Sequence, residues 1–173
     1  MEFCMKTVIG VIGSDVADET MSSNALKIAE HVGALIAQHN AVLLCGGRGG
    51  IMEAACKGAQ NQKGITIGIL PESKTEANPY VDIALPSGMG NRRNFLVVNM
   101  SDAIIAIGGR WGTLNEITFS AIIGKPLVLL KTTGGCVDML CKSTFLQTHP
   151  NAHIATSAEE AVEIAFSLIK NIG

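Results

Sequence analysis

The sequence predicts an α/β fold, a single domain over 1–173 in which a three-layer, doubly wound, mostly parallel sheet is covered by helices on both faces. Three observations predict it. Short aliphatic and β-branched runs alternate with stretches of helical apolar spacing along the whole chain. Two of those runs, Ala41–Cys45 and Ala103–Ile107, pass directly into a glycine-rich turn and then a helix, and Thr7–Ile12 ends in a comparable Gly13-Ser14-Asp15 turn. No linker-like stretch divides the 173 residues, a length suited to one well-filled core.

Taken in order, Thr7–Ile12 is the first strand, and the polar stretch to Ser23 leads into a helix capped by Ser22 or Ser23. Leu26, Ala29, Val32, Gly33 and Ile36 recur at helical spacing up to Gln38, and Asn40 ends that helix. Ala41–Cys45 is the second strand, Gly46–Gly50 its turn, and Ile51, Met52, Ala55 and Ala59 mark the second helix. Ile65–Leu70, stopped by Pro71, is the third strand. Three strands joined by two helices form the βαβαβ half of a doubly wound sheet, whose right-handed crossovers put both turns at the carboxyl edge.

Glu72–Pro79 reads as a surface loop, Val81–Leu85 as a short strand, and Asn91–Ser101 as a helix with Arg92 and Arg93 in its first turn. Behind the arginines that helix is apolar on nearly every side, so it is either buried in the chain's own core or packed against a second copy; in a chain this small the second is favoured, giving a dimer or tetramer. Ala103–Ile107 is the next core strand, Leu127–Leu130 follows Lys125-Pro126, and Val137–Lys142 is a weak helix. Thr144–His153 is irregular and Ile154-Ala155 a last edge strand. Ser157 caps the final helix, with Glu159 and Glu160 at its positive end.

Composition sets limits on partners. Apolar residues make up 47% of the chain and charged residues 16%, with a mean hydropathy of +0.34; strands buried on both faces account for that balance. A net charge of -2 gives no reason to expect nucleic acid or an anionic membrane as partner. No apolar stretch has the length of a membrane helix, and Met1–Lys6 is too short and polar to begin a signal peptide, so a cytoplasmic location is expected. Cys4, Cys45, Cys56, Cys136 and Cys141 contain no C-x-x-C pair and read as reduced core thiols. The four histidines are scattered, so no metal site held by the protein alone is expected.

The candidate chemistry gathers at Gly108–Glu116, GGRWGTLNE. A glycine turn before a helix leaves the first N–H groups pointing out of the positive end, where a phosphate can accept them. Gly108, Gly109 and Gly112 have no Cβ to hold an anion away. Thr113 and Glu116 also have the spacing of a capping box. In the doubly wound order Ala103–Ile107 lies beside the first strand, so Gly13-Ser14-Asp15 and Gly108–Thr113 flank one crevice, with Gly46-Gly47-Arg48-Gly49-Gly50 one strand further out. The segment carrying Arg92 and Arg93 must cross towards that crevice. Cations in a first helical turn oppose the macrodipole, and a bound anion relieves the conflict. Arginines and backbone turns together suit a phosphate group. Trp111, beside the turn, reads as a packing residue, the alternative being a stacking platform for a ligand base. No G-x-G-x-x-G opens the first helix and no acidic residue closes the second strand, which argues against an NAD-dependent redox enzyme; G-x-x-x-x-G-K-[ST] is absent too, which argues against a P-loop.

Three motifs in order, CGGRGGIMEA at 45–54, GMGNRRN at 88–94 and GGRWGTLNE at 108–116, resemble the LOG (Lonely Guy) superfamily, once labelled possible lysine decarboxylases. Within it they are similar to the short branch of molybdenum cofactor carrier proteins. The resemblance covers nearly the whole chain and implies a Rossmann-like domain that takes a small phosphorylated ligand. It adds Met89, Arg93 and Asn94 of the middle motif to the glycines, Arg110 and Thr113 as ligand contacts. Typical LOG phosphoribohydrolases carry P-G-G-x-G-T-x-x-E and M-x-x-R-K, and cleave the N-glycosidic bond of a nucleoside 5′-monophosphate. Carried over, their catalytic pair is Arg92 and Glu116, with Gly109, Gly112 and Thr113 holding phosphate.

The departures point the other way. Gly108 stands for the proline, Arg110 for the second glycine and Gly90 for a frequent histidine, while Arg93-Asn94 is similar to the carrier branch. The added cation Arg110 suits a more anionic ligand. The reading these departures favour is a binding or carrier protein for a phosphorylated heterocycle, with a nucleotide or the molybdenum cofactor as the bound group and no further cofactor required. The alternative is the phosphoribohydrolase, using Arg92 and Glu116. A pyridoxal-dependent decarboxylase would need a Schiff-base lysine, and Lys125, the nearest, lies past the far end of the helix.

Overall fold

A computed structural model describes residues 5–16, 18–144, 146 and 149–170. Cys4, expected in the core, lies outside them. The strands are β1 Val8–Gly13, β2 Val42–Cys45, β3 Ile65–Leu70, β4 Ile83–Pro86, β5 Ala103–Ile107, β6 Leu127–Leu130 and β7 Ala152–Ala155. They form one sheet in the order β4-β3-β2-β1-β5-β6-β7, and every adjacent pair is parallel. The helices are α1 Ala25–Gln38, α2 Ile51–Asn61, α3 Asn94–Asn99, α4 Trp111–Ile122, α5 Gly135–Cys141 and α6 Ala158–Lys170.

Strand period decides which face each side chain serves. Ile9, Val11, Leu43, Cys45, Ile105, Ile107, Val128 and Leu130 point to one face, where they meet buried residues of α1, α2 and α6. Ile12, Leu44, Ile104, Ala106, Leu127 and Leu129 point to the other, against α3, α4 and α5. Buried on both sides, the central strands carry no polar alternation, which is what their unbroken aliphatic sequence signalled. On the first face α1 and α2 approach closely at glycine: a Cβ at Gly33 would stand 1.9 Å from the Ala55 carbonyl oxygen, and one at Gly58 1.8 Å from that of Glu30.

Several boundaries differ from the sequence reading. The residue preceding α1 is Asn24 rather than Ser22 or Ser23, and its side chain makes no capping bond. β4 is shifted towards Pro86 and is largely exposed at the sheet edge. The helix expected over Asn91–Ser101 is two pieces, a 3₁₀ turn at Gly90–Arg93 followed by α3 at Asn94–Asn99. Gly88 and Gly90 stand at φ +66° and +55°, and the segment buries Arg93 and Asn94 while Arg92 remains exposed. Val97 and Val98 of α3 are spent on the chain's own core, fully buried at 0% exposure.

Reversal of the winding falls between β1 and β5. β1 pairs with β5 from Ile9↔Ala103 to Gly13↔Ile107, so the turns that leave their carboxyl ends lie side by side. This is the switch point of a doubly wound sheet, where ligands of such folds bind.

Candidate functional site

The turn from β5 into α4 is built by two glycines in left-handed conformation, Gly108 at φ +62° and Gly109 at φ +96°. A Cβ at Gly109 would stand 2.4 Å from that of Thr113. Their N–H groups are not free for a ligand. Gly108 donates to Thr133 Oγ1 at 2.8 Å and Gly109 to Ser14 Oγ at 2.7 Å. Ser14 in turn donates to Asp18 Oδ2 at 2.6 Å. Burial works to raise the Asp18 carboxyl, but bonds from Ser14 and Thr20 and the charge of Arg110 bring it below its usual value. An ionised Asp18 therefore anchors Ser14, and Ser14 anchors the turn.

The open donors come next along the chain. α4 starts at Trp111 behind Arg110, which gives no side-chain cap, and its first return bond is Leu114 N–H to the Arg110 carbonyl at 2.8 Å. The N–H groups of Trp111, Gly112 and Thr113 are left without a backbone partner at the positive end of the helix. The expected capping box is not formed. Because α4 begins almost a turn before Thr113, both Thr113 and Glu116 sit within the helix, buried at 4% and 6% exposure, and form part of a cavity wall.

That cavity has a volume of about 640 Å³. Gly13, Ser14 and Asp15 line it from β1, Gly46, Arg48 and Met52 from the β2–α2 turn, Asn91, Arg93 and Asn94 from the crossing segment, and Arg110 through Glu116, save Leu114, from the start of α4. Arg93 crosses its floor, nearly buried. A Cβ at Gly46 would stand 2.8 Å from the Arg93 Nη2 atom, so glycine there makes room for the guanidinium. Arg93 Nη1 lies 3.8 Å from Glu116 Oε1 and bonds the Asn94 side-chain oxygen, whose amide nitrogen reaches the Gly112 carbonyl at 3.3 Å. Arg93 Nε is buried without any hydrogen-bond partner, a costly state for a charged group.

Glu116 tempers its partner less than a salt bridge would. Burial pushes its carboxyl up to about 8, against the opposing pull of Arg93; at neutral pH it is mostly protonated, a neutral hydrogen-bond donor. Burial also lowers the Arg93 pKa, with Glu116 pulling the other way, yet an arginine stays charged. The floor thus holds one net positive charge.

The structure separates the predicted residues into two sets. Gly13, Ser14, Gly46, Arg93, Asn94, Arg110, Gly112, Thr113 and Glu116 line the cavity. Gly47, Gly49, Met89, Arg92, Gly108 and Gly109 do not. Gly47 turns its carbonyl to the Asn78 backbone and side-chain amide, Gly49 packs beside Asp15, and Met89 is 42% exposed. Arg93, rather than Arg92, is the arginine that meets Glu116; the crossing segment buries Arg93 and leaves Arg92 exposed. Asp15, expected at the crevice, lines it too, and so do Arg48, Asn91 and Asn115, which stand within the three motifs but were not singled out as ligand contacts. Arg48 and Asp15 pair at 3.7 Å at the half-exposed mouth. Trp111, read as packing, is 81% exposed.

Among the described residues Cys45, Cys56, Cys136 and Cys141 are free, and the first three are buried. No cluster of three potential metal ligands occurs among those residues, and no helix among them is long and apolar enough to cross a membrane.

The model of the SLOG cluster4 family matches residues 6–162. A protein of Archaeoglobus fulgidus is 43% identical over 123 residues, 71% of this chain and 79% of that one. The molybdenum cofactor binding protein of the phototrophic bacterium Rippkaea orientalis superposes with a TM-score of 0.84 at 39% identity, over 95% of this chain and 98% of that one. The Moco carrier protein of Chlamydomonas reinhardtii superposes with a TM-score of 0.85 at 33% identity, over 96% and 99%.

Proposed function

The chain belongs to the SLOG cluster4 family, and on that premise we propose that it binds and carries a phosphorylated heterocycle of the molybdenum-cofactor type. The observation that carries the reading is the nearly buried Arg93, which lines the cavity together with the uncapped start of α4. A phosphate between them would accept from the guanidinium and from the Gly112 and Thr113 N–H groups, with Arg48 and Arg110 supplying further positive charge at the rim. No histidine or cysteine lines the cavity, so these residues suit the phosphate and heterocycle, and a metal would arrive on the ligand's own donor atoms. The carrier proteins among the structural neighbours, at 33% and 39% identity, support the same reading.

The phosphoribohydrolase reading has less support. The catalytic pair it carries over is Arg92 with Glu116, and Arg92 is exposed outside the cavity while Arg93 is the arginine beside Glu116. One experiment separates the two. Incubation with AMP is expected to raise the melting temperature without releasing adenine. Adenine release that Glu116→Ala and Arg93→Ala both abolish would replace the carrier with the enzyme.

The chain is further proposed to associate with itself through α3 and the end of α4. Phe95 meets Phe119 edge to face, centroids 4.5 Å apart, and Met100, Ile122 and Ile123 of the same helix pair are 51%, 73% and 41% exposed, a patch that favours burial. Light scattering should give a dimer or tetramer, and Phe95→Glu with Ile122→Lys should give a monomer. A monomeric wild type would end the proposal.

A further inference from the structure

A second cavity, of about 310 Å³, opens on the other side of the Gly109-Arg110-Trp111 strap, lined by Thr20, Arg110, Trp111, Leu114, Cys136 and Met139 among others. Arg110 and Trp111 line both cavities. Their chemistries differ sharply. The first is rich in charge. In the second, the nearby backbone donors are already taken: Cys136 N–H bonds the Gly109 carbonyl at 2.7 Å, Val137 N–H that of Gly108 at 3.2 Å, and Gly135 N–H that of Thr20 at 3.3 Å. An anion finds no free N–H among these first residues of α5. What the cavity offers is apolar surface, with Trp111 81% and Met139 56% exposed and Leu114 between them in the lining. An indole face and a thioether against open solvent suit a planar heterocycle.

An anion site and a stacking site that share one arginine in their common wall call for an occupant with matching parts. We infer that the ligand is a pyrophosphate-linked dinucleotide. One nucleotide occupies the cavity over Arg93, the pyrophosphate bridge lies against Arg110, and the second ring stacks on Trp111 beside Met139 and Leu114. This rests on the reading of the first cavity as a phosphate site and specifies the class of ligand it takes. It also accounts for arginine at position 110, since a cation at the strap serves a bridge that a mononucleotide lacks.

The test compares AMP with diadenosine diphosphate, two AMP units joined through their phosphates, by calorimetry and by the fluorescence of Trp111, the chain's one tryptophan. The dinucleotide should bind roughly tenfold tighter than AMP, the gain expected of one stacked base, and should quench Trp111 more deeply. Met139→Asp, on the half-exposed rim of the second cavity alone, should remove that gain and leave AMP affinity unchanged. If AMP binds and the dinucleotide binds no tighter, or if Met139→Asp leaves its advantage intact, the dinucleotide assignment fails and the phosphate site stands. If neither ligand binds, both fall.

Discussion

Two turns of this chain have nearly the same sequence and opposite uses. Gly46–Gly50 after β2 and Gly108–Gly112 after β5 each join a buried strand to a helix through glycines at positive φ. After β2 the first helical N–H is tied down: Gly50 lies against the Ser14 carbonyl, where a Cβ would come within 2.3 Å of its oxygen, and Ile51 N–H bonds that oxygen at 2.9 Å. After β5 the turn itself is tied down by Ser14 and Thr133, and the helix start one residue on is left open. A strand, glycine turn and helix therefore do not make an anion site by themselves; what occupies the first helical N–H groups decides. Ser14 serves both turns, its carbonyl closing one and its hydroxyl fixing the other.

The largest effect should come from the guanidinium on the cavity floor, which both turns approach. Arg93→Met is expected to weaken AMP binding about a hundredfold, since hydrogen bonds to a charged group contribute about 1.5–3 kcal/mol each. Calorimetry would show it, and an unchanged affinity would move the phosphate elsewhere. Glycine replacements should then split the two turns. Gly112→Ala meets nothing closer than 3.8 Å, so it should stabilise α4 by up to about 1 kcal/mol, raise the melting temperature and weaken AMP roughly tenfold by crowding the phosphate. Gly50→Ala should do the reverse, losing about 1–3 kcal/mol of stability to a strained φ with little change in AMP affinity once folded. If both variants behaved alike, the turns would not differ in function.

How far these differences can be read in the sequence depends on what creates them. β5 and β6 were legible to the residue, because a strand buried on both faces is an unbroken aliphatic run bounded by breakers, and β3 because Pro71 stops it after its isoleucines. The crevice was legible too, since parallel topology forces β5 beside β1 and brings Gly13 and Gly108 together. The closing of one turn by Ser14 was not legible, because the bonds link residues far apart in sequence through a serine with no marked spacing. Nor was the choice between Arg92 and Arg93. Adjacent side chains diverge by about 100° in an α-helix and about 120° in a 3₁₀ turn, so either geometry turns one arginine in and one out, and the packing that buries Arg93 and exposes Arg92 has no mark in the sequence. The capping box failed for a related reason: T-x-x-E fits its spacing at Thr113, but Gly109 at φ +96° lets the helix begin earlier and carries both residues into the cavity wall.

The smallest and finest effect concerns Glu116, the carboxyl that the open turn sets against Arg93. Its pKa is raised from the ordinary range to about 8, so the folded state holds a proton that the unfolded chain has released. Between about pH 4.5 and 8 the native state binds more protons at this group, and its stability contribution is full below that window and is lost as pH rises through it. Glu116→Gln keeps the shape and removes the titration. Its melting temperature should exceed that of the wild type most clearly at pH 8–9, and the difference should shrink towards pH 5. Ligand binding should follow the same proton, because an ionised Glu116 would offset the charge of Arg93. AMP affinity of the wild type should therefore fall about fivefold from pH 7 to 9, as a second negative charge near the phosphate would cause, and stay level in Glu116→Gln once the second ionisation of the phosphate is complete. A wild type whose AMP affinity is flat over that range would mean that Glu116 keeps its proton or stands too far from the phosphate to be felt. A profile equally steep in both proteins would assign the titration to another group.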